Sequence, residues 1–456
     1  MGRYFGTDGI RGVVNGTDAG HRLDADIAFK VGQAAAMVLA EGKTEKPVFT
    51  IGKDTRISGD MLEAALIAGL CSAGADVMVL GVVPTPAVAY ITVDARADAG
   101  IVISASHNPY EHNGIKIFNG QGFKLSDALE EKIEYYIDHP EKLTEKTHSD
   151  LGRVIHRGQE YLDRYIEHIV EAADTIQPMK VLIDCANGAA SRTANQIFSR
   201  FPLDLEIIKD HPDGININDG CGSTHIDLLG RMVQAGGYDM GIAFDGDADR
   251  CLAVDETGRE VDGDKIMAIC GTTMKSQGKL NGNAIVATVM SNMGFHDYTK
   301  ANGMQLVCTS VGDRNVLEKM LECNYSIGGE QSGHLIFLEH ATTGDGQLAA
   351  VKFLSIVSSS GRKLSELVSE IPEYPQILNN VSIAGGNAVK QAIMQNPVLQ
   401  DSIAAEETAL QGKGRILIRP SGTEALIRVM VEAQQSDAAK ACAERLTACI
   451  EQLAKS

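Results

Sequence analysis

The chain has 456 residues, 44% of them hydrophobic, and a formal net charge of −19 at pH 7. It is long enough to bury several cores, it has no basic tract for a nucleic-acid partner, and no apolar run reaches the about eighteen residues of a membrane span. The start at Met1-Gly2-Arg3-Tyr4-Phe5 lacks the apolar core of a secretory signal, and the nine cysteines include no Cys-x-x-Cys pair, so we expect a cytoplasmic protein with reduced thiols.

Strands and helices alternate in three successive stretches of the sequence. The strand, helix and strand of each stretch lie at 48–51, 58–73 and 77–80, then at 181–184, 189–200 and 203–208, and then at 285–288, 292–301 and 304–308. Such alternation is typical of α/β layers with mostly parallel sheets. It predicts three similar domains followed by a differently patterned fourth, and we place the four at 1–150, 151–251, 252–370 and 371–456.

The first segment with chemical content follows a predicted strand at 101–103. Small and polar residues come next and Pro109 prevents an ordinary helix, so Ser106 is expected on a loop at the end of a strand. With His107 beside it and Lys116 shortly after, Ser106 is a candidate nucleophile, although adjacent side chains seldom face each other as a nucleophile and its base must. Taken alone, an ordinary loop serine is the commoner interpretation.

A second predicted strand, at 240–244, leads into a loop with aspartates at alternate positions, Asp245, Asp247 and Asp249, closed by Arg250. Hard cations such as Mg²⁺ take oxygen ligands, and small residues between the carboxylates allow the backbone to curl. A calcium loop of the EF-hand type fits less well, because its sixth position needs glycine and a helix should precede it. A solvated acidic turn is the structural alternative to a metal site.

Two later segments offer groups that suit a phosphorylated sugar. Glu330 and Ser332 lie between glycines and provide a carboxylate and a hydroxyl. A strand at 416–418 then leads to two guanidinium groups, two hydroxyls and a glycine amide that suit one phosphate, those of Arg419, Ser421, Gly422, Thr423 and Arg428. Alone, the first segment is a weak signal, and an exposed turn with surface arginines is the favoured interpretation of the second.

Together, and in this order, the four segments resemble the signatures of the α-D-phosphohexomutase superfamily over essentially the whole chain. The signatures are the Ser-His-Asn-Pro, Asp-Gly-Asp-x-Asp-Arg, Gly-Glu-x-Ser-Gly-His and Ser-Gly-Thr-Glu loops. The segments 4–12, 311–314, 329–332 and 342–346 are similar to the phosphoglucosamine mutase branch. Ala248, Pro420 and Ala425 depart from the usual pattern without removing a functional atom.

The resemblance implies a fold of three similar mixed α/β domains with central sheets and a distinct C-terminal α+β domain, around one central cleft. It implies an isomerase that interconverts glucosamine 6-phosphate and glucosamine 1-phosphate and so supplies the synthesis of UDP-N-acetylglucosamine. Glucosamine 1,6-bisphosphate is then the expected intermediate and a candidate activator. Ser106 would be a phosphoserine and would bind one Mg²⁺ per chain together with Asp245, Asp247 and Asp249.

Further roles follow from the resemblance and from the chemistry of phosphoryl transfer. Lys116 is a candidate general base and acid if neighbouring arginines lower its pKa, with His107 as the alternative and a phosphate anchor as another reading of Lys116. Arg11 and Arg250 are expected to stabilise the transferring phosphoryl group. Glu330 and Ser332 would bind the sugar. The non-reacting phosphate would be bound by Arg419, Ser421, Gly422, Thr423 and Arg428.

Three other functions remain open from the sequence. A phosphomannomutase or phosphoglucomutase would use the same loops on a neutral hexose phosphate, although residues 312–314 favour the amino sugar. A metal-dependent phosphatase would release phosphate to water. A non-catalytic sugar-phosphate-binding protein should have lost Ser106 or one of the three aspartates, and none is lost. A homodimer also remains open, because the sequence does not reveal the oligomeric state.

Overall fold

The computed structural model describes residues 3–6, 8–16, 22–384, 386–421 and 425–455. Its contacts divide the chain into two compact units. The first contains Met1–Met290 and Val307–Ser369, and the second contains Ser291–Leu306 and Glu370–Ser456. Among the described residues, no helix combines the length and the hydrophobicity that a membrane crossing requires. All nine cysteines have free thiols.

The first sheet has eight strands. They are β1 (Phe5–Gly6), β2 (Gly9–Val14), β3 (Arg22–Leu23), β4 (Val48–Lys53), β5 (Asp76–Val82), β6 (Ala99–Ile103), β7 (His112–Asn119) and β8 (Val154–Ile155). Its helices are α1 (Ala25–Leu39), α2 (Gly59–Ser72), α3 (Thr85–Asp94) and α4 (Asp127–Asp138). The strand order is β1-β2-β7-β6-β4-β5-β8, with β3 beside β2.

The second sheet has five strands in the order β10-β9-β11-β12-β13. Its elements are α5 (Gly158–Glu171), β9 (Met179–Asp184), α6 (Ala190–Phe198), β10 (Leu203–Ile208), α7 (Asp227–Gly236), β11 (Met240–Phe244), β12 (Cys251–Asp255) and β13 (Glu260–Val261).

The third sheet has four strands in the order β15-β14-β16-β17. Its elements are α8 (Gly263–Ser276), β14 (Ala284–Thr288), α9 (Met293–Ala301), β15 (Gln305–Thr309), α10 (Asp313–Cys323), β16 (Ile327–Gly329), β17 (Leu335–Phe337), α11 (Gly346–Ser360) and α12 (Leu364–Val368).

These three sheets contain one repeated strand arrangement. The orders β5-β4-β6-β7, β10-β9-β11-β12 and β15-β14-β16-β17 correspond strand for strand, and we call them repeats 1, 2 and 3. In each repeat the third strand in the chain runs parallel to the first and then returns in an antiparallel hairpin. The three similar α/β domains are therefore confirmed.

Each of these sheets is mixed, because the parallel pairs of every repeat are followed by one antiparallel strand. A direct return without a crossover helix must give an antiparallel neighbour. These returns are the hairpins β6–β7, β11–β12 and β16–β17, and each of them carries one predicted signature loop at its turn. The hairpins therefore place the functional segments at one end of a buried strand in every repeat.

The C-terminal part has a different architecture. Its elements are β18 (Gln376–Ser382), α13 (Gly386–Met394), α14 (Pro397–Leu410), β19 (Gly414–Pro420), β20 (Leu426–Ala433) and α15 (Ser436–Lys455). The sheet order is β18-β20-β19, and all pairs are antiparallel. Along α15, Cys442, Leu446 and Ile450 are buried, and Cys449 and Leu453 pack against the same core. These residues form one apolar face of the helix. The distinct α+β class is confirmed, while the four domain boundaries stay predictions.

Candidate active site

Ser106 lies at the carboxyl end of β6, where the buried strand changes into a polar loop. It is only 1% exposed, and its backbone is left-handed, with φ of 52°. Its hydroxyl donates to Asp245 Oδ2 over 2.6 Å, and the Oγ lies 3.4 Å from His107 Nδ1. The predicted loop position is confirmed. The hydroxyl faces the aspartate loop more closely than it faces its neighbouring histidine.

Two side chains from different repeats fix the backbone of the Ser106 loop. The Ser106 carbonyl accepts from Arg56 Nη2 at 2.8 Å and from Asn218 Nδ2 at 2.9 Å. Arg56 Nη1 also donates to the carbonyls of Asn108 and Pro109 at 2.9 and 2.7 Å, and its Nε pairs with Asp54 Oδ2 at 2.9 Å. Because Arg56 is buried, its N–H groups donate to the carbonyls of this loop and to Asp54 rather than to water.

The three aspartates of the loop between β11 and β12 form one buried cluster. One ligand atom from each of Asp245, Asp247 and Asp249 lies within 4.8 Å of the others. The Oδ1 atoms of Asp247 and Asp249 are buried and have no hydrogen-bond partner among the described residues. Buried carboxylate oxygens without donors are costly unless a cation compensates them. The residues present therefore fit a Mg²⁺ ion, and the strand on each side of the loop excludes the EF-hand alternative.

The Ser106 loop and the aspartate loop pack closely against each other, and this restricts the residues that fit in the aspartate loop. A Cβ on Gly246 would lie 2.6 Å from the Ser106 carbonyl oxygen, so only glycine permits this contact. Ala248 takes a left-handed backbone with φ of 56°, at the position where the sequence departs from the usual glycine. A non-glycine residue in this conformation costs about 1 to 2 kcal/mol, which the rest of the loop must offset.

The charges of the cluster are unevenly distributed. Burial, followed by the charges of Asp249 and Asp247, raises the pKa of Asp245 well above its usual value. Burial would also raise the pKa of Asp249, but Lys116 and His334 outweigh it and the net direction is downward. The structure thus presents Asp249 as a carboxylate held by cations and Asp245 as the carboxyl group that faces the serine.

Lys116 projects from β7 into this cluster. Its Nζ lies 2.9 Å from Asp247 Oδ2, 3.2 Å from Asp8 Oδ2 and 3.5 Å from Asp249 Oδ2. Burial alone would lower the pKa of Lys116, but these carboxylates outweigh it and the pKa is raised. The expected lowering of this pKa is therefore wrong, because the neighbours within ion-pair distance are aspartates rather than arginines.

Six side chains from all three repeats and the preceding N-terminal segment form a closed ring of ion pairs, which we call the charge ring. Its members in order are Lys116, Asp8, Lys124, Asp313, His334 and Asp249, and the last returns to Lys116. Basic and acidic groups alternate around the ring. Every charge thus lies between two groups of opposite or neutral charge, which makes the burial of so many ionisable groups tolerable.

Two arginines and His107 lie at the border of the cluster. Arg11 pairs with Asp8, and Arg250 Nε lies 4.0 Å from Asp249 Oδ1. The Nε atoms of both arginines are buried without a hydrogen-bond partner among the described residues, so both retain donors for an anion. Burial, then Arg250 and Arg11, lowers the pKa of His107 to about 4, so this imidazole is neutral at pH 7.

The Glu330 and Ser332 loop joins β16 to β17 and is more open. Glu330 is partly exposed and Ser332 is exposed. Glu330 Oε1 accepts from the Gly312 backbone N–H at 3.2 Å. Inside the loop, the Glu330 N–H donates to the His334 carbonyl at 3.0 Å and the Gly333 N–H donates to the Glu330 carbonyl at 2.9 Å. A carboxylate fixed from one side by a backbone amide is left accessible on the other.

The predicted phosphate loop lies in the second unit, between β19 and β20. Arg419 and Arg428 are directly opposite each other in the strand register. Burial, followed by the charge of Arg428, lowers the pKa of Arg419. Ser421 is buried, and its carbonyl accepts from Lys390 Nζ at 2.5 Å. Gly422 and Thr423 lie outside the described residues. Two adjacent guanidinium groups of like charge are the arrangement that an anion would stabilise.

Sequence reasoning missed several side chains of the site. Arg56 follows β4 and Thr85 follows β5, and Thr85 Oγ1 donates to Asp247 Oδ2 at 2.7 Å. Since the carboxyl ends of parallel strands meet at one edge, the topology rule that places Ser106 could also have found these two. Asp8, Asp313 and His334 lie inside motifs that the sequence shows, but the sequence did not indicate a role for them. Lys124 carries no signal in the sequence.

Comparison with known proteins agrees with this geometry. Family models described as phosphoglucomutase/phosphomannomutase match alpha/beta/alpha domain I at residues 2–144, domain II at 163–258, domain III at 262–374 and the C-terminal domain at 380–448. A phosphoglucosamine mutase of Acetivibrio thermocellus is 52% identical over 99% of both chains. Another, from Clostridium novyi, is 48% identical over 100% of both.

Solved structures show the same fold. A phosphoglucomutase/phosphomannomutase family protein of Burkholderia thailandensis matches with a TM-score of 0.81 at 23% identity, covering 99% of this chain and 97% of that one. The N-acetylphosphoglucosamine mutase of Aspergillus fumigatus matches with a TM-score of 0.70 at 17% identity, covering 99% and 96%. With four family models matched and relatives about half identical over the full length, the chain belongs to the phosphoglucomutase/phosphomannomutase family of isomerases, within the α-D-phosphohexomutase superfamily.

Proposed function

We propose that the protein interconverts glucosamine 6-phosphate and glucosamine 1-phosphate through a phosphorylated Ser106. The observation that carries this proposal is the contact of 2.6 Å between the Ser106 hydroxyl and Asp245, inside a cluster with two unpartnered carboxylate oxygens. A serine so placed is next to a site that suits a divalent cation. Phosphoryl transfer needs little more than an oxygen nucleophile, a phosphoryl group and a cation in line.

The reaction consists of two phosphoryl transfers. The first takes the phosphoryl group from Ser106 to the sugar, and the second takes one from the other end of the sugar back to Ser106. In the first, the P–Oγ bond of phosphorylated Ser106 breaks and a bond from phosphorus to O1 of glucosamine 6-phosphate forms, giving glucosamine 1,6-bisphosphate. In each transfer the accepting hydroxyl loses its proton, and the oxygen that gives up the phosphoryl group gains one. The bisphosphate then turns over in the site. In the second, the phosphoryl group on O6 returns to Ser106 Oγ, and glucosamine 1-phosphate leaves. Ser106 is thereby phosphorylated again for the next cycle. The same bisphosphate could activate unphosphorylated enzyme by donating a phosphoryl group to Ser106.

Asp245, Asp247, Asp249 and a phosphoryl oxygen on Ser106 would bind one Mg²⁺. When bound, the ion neutralises the negative charge of the carboxylates and the phosphoryl group and polarises the phosphoryl oxygens. Arg11 and Arg250, whose buried Nε atoms have no hydrogen-bond partner among the described residues, would donate to the phosphoryl oxygens.

His107 and Lys116 are the two candidates for proton transfer, and the structure favours a different role for each. His107 is neutral at pH 7 and its Nδ1 lies 3.4 Å from Ser106 Oγ, so we propose it as the group that can accept a proton. The raised pKa of Lys116 keeps this side chain cationic. This supports the anchor role, in which Lys116 Nζ attracts the transferring phosphoryl group and exchanges no proton.

The amino sugar is proposed from Glu330 and from the names of the relatives. A substrate ammonium group needs a carboxylate, and Glu330 offers one on an open loop. Ser332 would bind a sugar hydroxyl, and the non-reacting phosphate would contact Arg419, Ser421, Gly422, Thr423 and Arg428. A phosphomannomutase or phosphoglucomutase remains the second candidate, because the matched family models carry those names. A cytoplasmic location and a homodimer stay predictions.

A coupled assay with glucosamine 6-phosphate, glucose 1-phosphate and mannose 1-phosphate side by side tests the proposal. We expect kcat/KM for glucosamine 6-phosphate to exceed the neutral hexose phosphates by at least about tenfold, because a carboxylate that loses its charged partner forfeits roughly 1.5 to 3 kcal/mol. Comparable values would identify a phosphoglucomutase or phosphomannomutase instead. Release of free phosphate without an isomer would indicate a phosphatase.

A further inference from the structure

Lys124 occupies a central place in the charge ring, although no motif contains it. Its Nζ lies 2.6 Å from Asp8 Oδ1 and 2.6 Å from Asp313 Oδ2, and its side chain is 15% exposed. We propose that Lys124 is a positioning residue that orients Lys116 and His334 at the aspartate cluster by fixing Asp8 and Asp313. This inference rests on the proposed function, since it concerns the geometry of the same site.

Lys124 acts on Lys116 through Asp8. The two oxygens of this carboxylate have different partners, since Oδ1 pairs with Lys124 at 2.6 Å and Oδ2 pairs with Lys116 at 3.2 Å. Arg11 contacts Oδ2 as well. Removing the Lys124 cation would leave Oδ1 without that partner, and the carboxylate would be free to rotate. Lys116 and Arg11, which both face the phosphoryl site, would then lose a fixed contact.

Lys124 acts on His334 through Asp313, the first residue of α10. Its Oδ2 lies 3.5 Å from His334 Nε2, and His334 Nδ1 lies 3.7 Å from Asp249 Oδ2. The preceding residue, Gly312, donates its N–H to Glu330 Oε1. Asp313 therefore stands between the metal cluster and the sugar-binding carboxylate. The Asp313 side chain, which Lys124 fixes, contacts His334, whereas the contact to Glu330 is made by the Gly312 backbone and does not involve Lys124.

Electrostatics explains why a lysine is required at this point. Asp8 and Asp313 both contact the same ammonium group, so they are two carboxylates that share one buried site. Without a cation between them they would repel each other and separate. Lys124 belongs to the first repeat and Asp313 to the third, so the ion pair also joins these two repeats across the site. The ion pair therefore also helps to hold repeats 1 and 3 together.

The experiment compares Lys124→Met and Lys124→Arg with a matched control, Lys53→Met. Lys53 is also a buried lysine of repeat 1 that bridges two carboxylates, Asp60 and Glu63, but it is not part of the charge ring. For each variant the measurements are kcat and KM on glucosamine 6-phosphate, the phosphate content of Ser106 by mass spectrometry and the melting temperature.

For Lys124→Met we expect kcat to fall on the order of a hundredfold, because small misplacements of catalytic groups have effects of this size. KM should stay within about threefold, since the groups proposed to bind the sugar and the distal phosphate are unchanged. Lys124→Arg should recover at least about tenfold of the loss, because it restores a cation between the two carboxylates. Lys53→Met should retain kcat even if its melting temperature falls.

The positioning role is wrong if Lys124→Met keeps kcat within about threefold of the wild type, or if Lys53→Met loses as much activity. It is also wrong if the arginine variant is no better than methionine. Failure of the proposed function would look different. A wild-type enzyme that acts only on glucose or mannose phosphates would overturn the amino-sugar substrate, and the same loss and rescue on those substrates would still support the role of Lys124.

Discussion

The hairpin loops of repeats 1 and 2 differ sharply from the hairpin loop of repeat 3, although all three follow the same strand in the same topology. Ser106, Asp245 and Asp247 are at most 1% exposed, whereas Ser332 is exposed and Glu330 is partly so. The first two loops interlock, with Gly246 against the Ser106 carbonyl. The backbone of the third loop is fixed by hydrogen bonds within its own hairpin and by bonds from the Cys251 and Gly263 N–H groups, but its carboxylate and its hydroxyl stay accessible.

The same backbone arrangement therefore serves two different tasks. Groups that transfer a phosphoryl group must keep their distances through the reaction, and burial with many fixed partners achieves this. A loop that selects a substrate must let the sugar enter, turn over and leave, and an accessible carboxylate suits that need. Changes in the buried loops should therefore abolish chemistry, while changes in the open loop should alter selectivity.

The largest expected effect is that of Asp247→Asn. The substitution keeps the shape of the side chain and a partner for Thr85 and Lys116, but it removes a charge from the aspartate cluster. We expect kcat to fall on the order of a thousandfold. The Mg²⁺ concentration that gives half-maximal activity should rise at least about tenfold. Steady-state kinetics across a Mg²⁺ titration measures both. Asp219→Asn, at an exposed position, serves as the control. An active Asp247→Asn enzyme would contradict the claim that the buried loops carry out the chemistry.

Arg56→Lys tests whether the interlocked loops depend on the buried guanidinium. A lysine cannot reproduce the contacts to three carbonyls and to Asp54. We expect the free energy of unfolding to fall by about 3 kcal/mol, as is usual when a buried ion pair loses its geometry. Urea unfolding measures the change. Arg200→Lys, in the exposed pair with Glu167, should be indistinguishable from the wild type, and equal effects at both sites would contradict the argument.

Glu330→Gln should alter selectivity rather than abolish chemistry. Loss of the carboxylate should lower kcat/KM for glucosamine 6-phosphate about tenfold, and much less for glucose 6-phosphate, because only the amino sugar loses a charged partner. The exposed Glu339→Gln is the control. An equal loss on both sugars would show that Glu330 does not recognise the amino group.

The smallest effect concerns pH and Asp345, which caps α11 by accepting from the Leu348 N–H and also accepts from the Tyr165 hydroxyl. Burial raises the pKa of Asp345 to about 6, above its value of about 4 in an unfolded chain. The folded state therefore binds the proton more tightly, and the stability that this carboxyl contributes declines as pH rises through 6.

Asp345→Asn removes that titration while keeping an oxygen that accepts from Leu348. The melting temperature of the variant relative to the wild type should therefore be higher at pH 8 than at pH 4.5, by about 2 °C or more. Differential scanning calorimetry at the two pH values measures it. A difference that does not change with pH would show that Asp345 is ionised in the folded protein at both.

Most of the fold could be predicted from the sequence because its signals are local. The strand at Leu203–Ile208 and the helix at Met293–Ala301 lie within one residue of their predicted bounds. The antiparallel returns at β7, β12 and β17 could not be predicted from periodicity. A buried strand of apolar residues looks the same in a parallel and an antiparallel neighbourhood, and only the short connection distinguishes them.

The candidate site was predictable where one loop carries several chemical groups, as for Asp245, Asp247 and Asp249. It was not predictable where a single residue acts through a distant partner. Lys124 and Asp313 are 189 positions apart, and nothing local marks their pairing. The pKa of Lys116 was predicted in the wrong direction for the same reason, since its carboxylate partners Asp8 and Asp247 are far away in the chain.

The most direct test of the central claim is the phosphorylation state of Ser106 in active enzyme, read by intact mass and by sequencing of the peptide that contains it. The account predicts that active wild-type protein carries one phosphoryl group on Ser106. It predicts that Ser106→Ala carries none and is inactive, and that phosphatase-treated wild type regains both phosphate and activity with glucosamine 1,6-bisphosphate. A fully active enzyme with an unmodified Ser106, or an active Ser106→Ala variant, would contradict it.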